Sequence, residues 1–133
     1  MIIGIGIDIV ENKRIEKLYL NYEKKFVNKI FTKNEINDFN PLKNPTLRIA
    51  SRFAAKEAFF KAVSSKIKKQ FFFWKDVEII SKVSGSPKLV LYGMSKKCLE
   101  DIIPYEYKSV IHLTLSHEKN NTVAMVVVEA INF

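Results

Sequence analysis

From residue 2 to residue 10 the chain is apolar at nearly every position, Ile2-Ile3-Gly4-Ile5-Gly6-Ile7-Asp8-Ile9-Val10, and rich in β-branched isoleucine. That run predicts a first strand. The period then changes. Ile15, Leu18, Tyr19 and Tyr22 recur at i, i+3, i+4 and i+7, with Asn12, Lys13, Glu16 and Lys17 on the other side, which predicts an amphipathic helix. Phe26, Ile30 and Phe31 either continue it or form a second short helix. Thr32-Lys33-Asn34-Glu35 has the spacing of a capping box, so a further helix is predicted from Lys33. It should end near Asn40-Pro41, because proline disfavours helix in the residue before it.

The strongest helix signal opens at Pro45-Thr46 and runs to about Val63, rich in Ala and Phe with no Gly or Pro inside. Apolar on most sides, it should be substantially buried, yet it carries several charges. After the basic connector 64–70, Phe71–Ser81 reads as a strand, Ser84-Gly85-Ser86-Pro87 as a turn, Lys88–Tyr92 as a strand and Ser95–Ile103 as a short helix. Ser109–Ser116 and Thr122–Ile131 read as a hairpin around His117-Glu118-Lys119-Asn120-Asn121. The order is that of an α+β fold: one strand, a helical block, then mostly antiparallel strands with one inserted helix, packed on the long helix. With 133 residues, no internal repeat and no linker composition, residues 1–133 are expected to form a single domain.

Composition sharpens this in three places. A hydrophobic fraction of 47% excludes a disordered chain. The single cysteine, Cys98, excludes an intramolecular disulfide framework and a Cys-rich zinc site, and makes a reducing cytoplasm the default. No apolar stretch is long enough to span a membrane, and the N-terminus lacks the basic start of a secretory signal. Lys and Arg number 22 against 14 for Asp and Glu, a formal net charge of +8 that suits an acidic partner without choosing among nucleic acid, membrane, phosphorylated small molecule and acidic protein.

Several residues could carry chemistry, each with a plainer alternative. Asp8 interrupts the first strand on the face of Gly6 and Val10, opposite Ile5, Ile7 and Ile9; on spacing alone a solvated strand face or a helix N-cap is the plainer explanation. Glu57 shares a helix face with Phe53, Phe60 and Lys61, either as an exposed i,i+4 pair with Lys61 or as a partly buried carboxylate that needs a cation. Arg48, Arg52 and Lys56 form a stripe that suits solvent or phosphate. Ser116-His117 lies at a strand end, where loops carry function, but a lone His is more often structural than catalytic. Gly4 and Gly6 are no dinucleotide fingerprint, since position 9 is Ile. Phe71-Phe72-Phe73-Trp74 reads as core or interface rather than a base-stacking platform.

Together these residues form a pattern. Gly6-Ile7-Asp8-Ile9-Val10-Glu11 followed by Arg14-Ile15 resembles the N-terminal motif of the holo-acyl-carrier-protein synthase family. Arg52-Phe53-Ala54-Ala55-Lys56-Glu57-Ala58-Phe59-Phe60-Lys61-Ala62 resembles its second signature. Trp74-Lys75-Asp76-Val77-Glu78, Gly85-Ser86-Pro87 and Leu113-Thr114-Leu115-Ser116-His117 fall where that family has similar stretches, so the resemblance covers essentially the whole chain.

The resemblance implies a 4′-phosphopantetheinyl transferase, which moves the arm of coenzyme A onto a serine of apo acyl carrier protein, releases adenosine 3′,5′-bisphosphate and supports fatty acid biosynthesis. It implies Mg²⁺, with Mn²⁺ as a substitute, and a homotrimer with sites between subunits. Carried over by motif, Asp8 and Glu57 are metal ligands, and Lys61 contacts the pyrophosphate and can act as acid to the leaving group. Arg52 and His117 are candidates for the coenzyme A phosphates, and Arg14 for docking the acidic carrier protein, with Lys13, Lys17, Lys24 and Lys25 near it. The base is Asp8, Glu57 or a metal-bound water. One segment departs from the family, which commonly has a Gly-rich loop after the signature helix. Here Ser64-Ser65-Lys66-Ile67-Lys68-Lys69 has none, so either its lysines replace amide contacts or the loop follows another path. The rival, a small nucleic-acid-binding module, calls for aromatics interleaved with cations on one sheet face and has no use for paired carboxylates. The expectation is therefore an enzyme, with no nucleic acid partner.

Overall fold

In a computed structural model of the chain, residues 1–67, 73–82 and 84–132 are described. Strand β1 (Ile2–Glu11) leads directly into helix α1 (Asn12–Ile30), followed by α2 (Lys33–Phe39) and α3 (Thr46–Val63). Then come a 3-10 turn at Trp74–Asp76, strands β2 (Val77–Ser81) and β3 (Pro87–Leu91), helix α4 (Gly93–Ile102), and strands β4 (Tyr107–His117) and β5 (Asn121–Asn132). The antiparallel strands divide into a three-stranded sheet, β1-β5-β4, and a separate hairpin, β2-β3, with β3 lying alongside β4. The α+β class and the long central helix are as expected.

Helix α3 packs across β1 and β5. Glycine makes that possible at two positions. A Cβ on Gly4 would lie 1.7 Å from the Ala62 carbonyl oxygen, and one on Gly6 would lie 1.9 Å from that of Ala58. The helix backbone therefore rests directly on the strand, where no larger residue fits. Ala54, Ala58 and Ala62 from the helix and Ala124, Val126, Val128 and Ala130 from β5 fill the same layer. The Gly-x-Gly pair is thus a packing device.

The alternation along β1 is as read, but its two faces are inverted with respect to hydrophobicity. The face bearing Gly4, Gly6, Asp8 and Val10 turns inward to α3, whereas Ile5, Ile7 and Ile9 are exposed, Ile9 at 63%. The solvated-face alternative for Asp8 is therefore corrected. The N-cap alternative is too, since the N-cap of α1 is Glu11.

Other differences have local causes. Tyr22 breaks α1 into two helical pieces (φ −134°, ψ 30°) and is exposed, so the apolar stripe ends at Tyr19 and restarts at Phe26 in the second piece. Asn12, expected outside, is buried at 6% because it bonds to the β4–β5 loop. Of the strand predicted over Phe71–Ser81, Phe71 and Phe72 lie outside the described residues. Phe73 precedes the 3-10 turn, where Trp74 stacks on Phe53 with ring centroids 5.5 Å apart. Only Val77–Ser81 pairs as a strand. The capping box at Thr32 is formed in both directions: Glu35 N–H donates to Thr32 Oγ1 and Thr32 N–H to Glu35 Oε1.

Candidate active site

Asp8 and Lys61 meet where β1 passes under α3. Lys61 Nζ donates to Asp8 Oδ1 at 2.9 Å and to the Ile7 carbonyl at 3.1 Å. The ammonium side chain is half-exposed at 53%, but that of Asp8 is only 11% exposed. The second carboxylate oxygen, Oδ2, is buried with no hydrogen-bond partner among the described residues. A buried anionic oxygen without a donor is costly and calls for a cation. Glu57, half-buried, stands one turn before Lys61 on α3. Glycine explains how close Asp8 comes to Lys61: Gly4 and Gly6 bring the helix down onto the strand just before Asp8.

The donor set fits a hard divalent ion. Mg²⁺ takes one or two carboxylates and completes its shell with water and substrate phosphate oxygens. Among the described residues no cluster of three or more His, Cys, Asp and Glu side chains forms, as a protein cage for zinc or calcium would require.

The expected basic stripe on α3 is neither solvated nor uniform. Arg48, at its outer end, pairs with Asp38 at 2.7 Å. Arg52 is 5% exposed; its guanidinium donates to Ser51 Oγ and to Ser81 Oγ at 2.7 Å, with Asp38 at 3.6 Å, while Nε has no partner among the described residues. Burial and the like charge of Arg48 lower its pKa, against the pull of Asp38 and Glu35. Arg52 and Lys61 are roughly two and a half turns apart on α3, which puts them on opposite sides of the helix. The chain by itself therefore does not bring these two cations together.

Lys56 is wholly buried. Its ammonium donates to Glu35 Oε1 at 2.6 Å and to the carbonyls of Ile30 and Trp74, and sits 5.2 Å from the centre of the Phe31 ring. Glu35 Oε2 accepts from the Ile79 N–H. Nearby, Glu78 accepts hydrogen bonds from the hydroxyls of Thr32 and Tyr92. This hub joins α1, α2, α3, the 3-10 turn and β2. Desolvation lowers the Lys56 pKa, and Glu35 opposes it. The solvent and phosphate readings of Lys56 are both corrected: it is a structural cation. The signal was present in the sequence, since a helix apolar on most sides must bury some of its charges.

His117 ends β4 opposite Thr122, which in turn pairs with Val10. It shares the sheet face of Asp8 but stands two strands away, roughly 10 Å to the side by ordinary strand spacing. The ring is exposed and has no hydrogen-bond partner among the described residues. It lines a cavity of about 440 Å³ with Asn12, Glu16, Thr46, Leu47 and Lys119, at the first turn of α3. Arg14 is exposed on α1, as are Lys13, Lys17, Lys24 and Lys25. Of the loop lysines, Lys66 is exposed, while Lys68 and Lys69 lie outside the described residues.

The chain as a whole has counterparts among known proteins. The family model described as the 4′-phosphopantetheinyl transferase superfamily matches residues 4–124. The chain belongs to that superfamily.

Its relatives in the transferase superfamily match nearly end to end. A holo-[acyl-carrier-protein] synthase from Sinorhizobium fredii is 37% identical over 131 residues, 98% of this chain and 94% of the relative. One from Natranaerobius thermophilus is 40% identical over 124 residues, 93% and 94% of the two chains. Solved structures agree. That of a holo-(acyl-carrier-protein) synthase from Bacillus anthracis in complex with CoA (3′,5′-ADP) superposes with a TM-score of 0.74, is 39% identical and covers 96% of each chain. The Neisseria meningitidis holo-[acyl-carrier-protein] synthase gives 0.84 at 35% identity, covering 97% of this chain and 99% of that one. The resemblance seen in the sequence is thus a family membership, and the α+β fold is that family's fold.

Proposed function

We propose that this protein transfers the 4′-phosphopantetheine group of coenzyme A to a serine of apo acyl carrier protein, giving holo carrier protein and adenosine 3′,5′-bisphosphate. The observation that carries the site assignment is the buried, unpartnered Oδ2 of Asp8 beside the Lys61 ammonium, on a chain of this superfamily. The test is incubation with Mg²⁺, coenzyme A and apo carrier protein, with the added arm read by mass. An unmodified carrier protein, for every acyl carrier protein of the source cell, overturns the reading.

Asp8 and Glu57 would hold Mg²⁺, which when bound withdraws charge from pyrophosphate oxygens and acidifies its own water. The rest of the work is positioning and charge. The serine oxygen attacks the β-phosphorus, giving its proton to a base at the Asp8–Glu57 site, as the bond to the bisphosphate leaving group breaks. Lys61, on a flexible stem and half-exposed, can swing from Asp8 to the phosphate, follow the charge building on the leaving oxygen and donate a proton to it. His117, with a free ring in the cavity at the start of α3, is assigned to a coenzyme A phosphate. Arg52 is assigned to the phosphates as well, through a neighbouring subunit, because it faces away from Lys61.

That assignment requires an oligomer, and the exposed sheet face supports one. Ile5, Ile7 and Ile9 lie beside Val127, Met125 and Val123 in register, an aliphatic strip on the outer side of β1 and β5. Contiguous apolar surface of this kind marks an interface. We assign it to the homotrimer. Ile7→Lys is expected to give a monomer by light scattering and to lose transfer with it. A trimer that persists would place the interface elsewhere.

The exposed cations of α1 suit an acidic carrier protein. Arg14→Glu is expected to raise the carrier-protein KM about tenfold, with strong salt dependence, and to leave the coenzyme A KM unchanged. Equal effects on both constants would remove Arg14 from docking. Among the described residues no helix is long and apolar enough to cross a membrane. We place the enzyme in the cytoplasm, feeding fatty acid biosynthesis.

A further inference from the structure

Helix α1 begins without a side-chain cap: its N-cap residue, Glu11, makes no capping hydrogen bond. The first N–H groups of a helix need partners from outside it. Here one comes from the β4–β5 loop, whose Asn120 carbonyl accepts the Asn12 N–H at 2.8 Å. The Asn12 side chain completes the attachment. Its Nδ2 donates to the carbonyls of Glu118 and Lys119 at 3.1 and 3.2 Å, and its Oδ1 accepts from the Thr122 hydroxyl at 2.7 Å. Three successive loop carbonyls and the first inward side chain of β5 are thus tied to one buried residue. Thr122 is wholly buried and sits directly opposite His117 in the sheet.

We infer that Asn12 is a positioning residue for His117: it locks the loop that follows this histidine, so that the exposed ring is held ready at the cavity both residues line. The inference rests on the assignment of His117 to a coenzyme A phosphate. Asn12 acts through the loop because the polar atoms of its amide are already engaged there. Ordering the backbone that carries the ring before the ligand arrives removes part of the entropic cost of binding.

The test is a double-mutant cycle on the full-length enzyme, with the coenzyme A dissociation constant measured by calorimetry and turnover measured alongside. His117→Ala is expected to weaken coenzyme A about 10- to 100-fold, as loss of a hydrogen bond to a charged group does. Asn12→Ala should weaken it severalfold on its own, but add little in the His117→Ala background, because residues acting in series are not additive. Thr122→Val removes only the hydroxyl that reaches Asn12 and keeps the side-chain shape. It should shift the constant in the same direction by less, and it keeps the test decisive if Asn12→Ala fails to fold. Unchanged affinity in Asn12→Ala and Thr122→Val, or full additivity with His117→Ala, overturns the inference. Should His117→Ala bind coenzyme A like the parent, the phosphate assignment and this inference fall together; the persistence of its turnover would show that the transferase reading stands.

Discussion

Replacing Asp8 by Asn, or Glu57 by Gln, is expected to abolish phosphopantetheine transfer, with turnover falling by a factor on the order of a thousand or more, while the proposed trimer persists. Both substitutions keep the side-chain shape and remove one negative charge. The change at Asp8 removes more than the proposed metal ligand. Its Oδ2 is buried with no donor among the described residues, and its Oδ1 holds the Lys61 ammonium at 2.9 Å, so an amide there weakens both the proposed cation site and the hold on the lysine. Glu57→Gln leaves the Asp8–Lys61 pair in place and tests the metal role more narrowly. The measurement is the rate of mass addition to carrier protein across a Mg²⁺ titration, with light scattering on the same samples. A residual rate within tenfold of the parent, for either variant, would take that residue out of the metal site. Chelation of divalent ions should stop the parent enzyme in the same assay, and readdition of Mg²⁺ or Mn²⁺ should restore it.

Lys56→Ala should produce the largest loss of stability, about 3–5 kcal/mol, as expected when one member of a buried ion pair is removed and the other is left behind. Lys56 and Glu35 have fully buried side chains and touch at 2.6 Å. The lysine also satisfies the carbonyls of Ile30 and Trp74, so its loss leaves a buried carboxylate and two buried acceptors short of a donor. Thermal unfolding should move down by roughly 10–20 °C for a domain of this size. Lys56→Met, which restores the apolar volume, should recover part of that. A cost below about 1 kcal/mol, the range of an exposed pair, would mean that the hub is far wetter than its burial indicates. Kinetically the two predictions separate. Loss of Lys56 should lower the amount of folded enzyme, whereas loss of Glu57 from the same helix should leave folded enzyme that does not turn over.

Much of the fold was legible because local chemistry agreed with it. The capping box at Thr32, the Gly- and Pro-free stretch from Thr46 to Val63, and the hairpin around residues 118–120 each sit where their spacing placed them. A second helical piece from Phe26 was one of two readings, but the exposure of Tyr22 and the short β2 were not legible. Periodicity reports which side of an element is apolar, not whether a neighbouring ring, as Trp74 on Phe53, claims the backbone for a tighter turn. The cations of α3 show the same limit. Arg48, Arg52 and Lys56 look alike in a helical projection, yet they range from a surface pair to a fully buried ammonium. Their fates depend on Asp38, Ser81 and Glu35, which arrive from α2 and β2.

By itself, the sequence determined the α+β class and, through two motifs, the family. Those properties are written in short-range spacing, where a carboxylate on a strand and a Glu–Lys step on a helix are visible as such. Tertiary structure alone decided which side of β1 is inside. An alternation of Ile with Gly and Asp ordinarily buries the isoleucines. Here the glycines let α3 settle backbone to backbone on the strand, which carries Asp8 inward to Lys61 and leaves Ile5, Ile7 and Ile9 exposed. It also decided that Asn12 belongs to the β4–β5 loop, a contact between residues more than a hundred positions apart that no local pattern encodes.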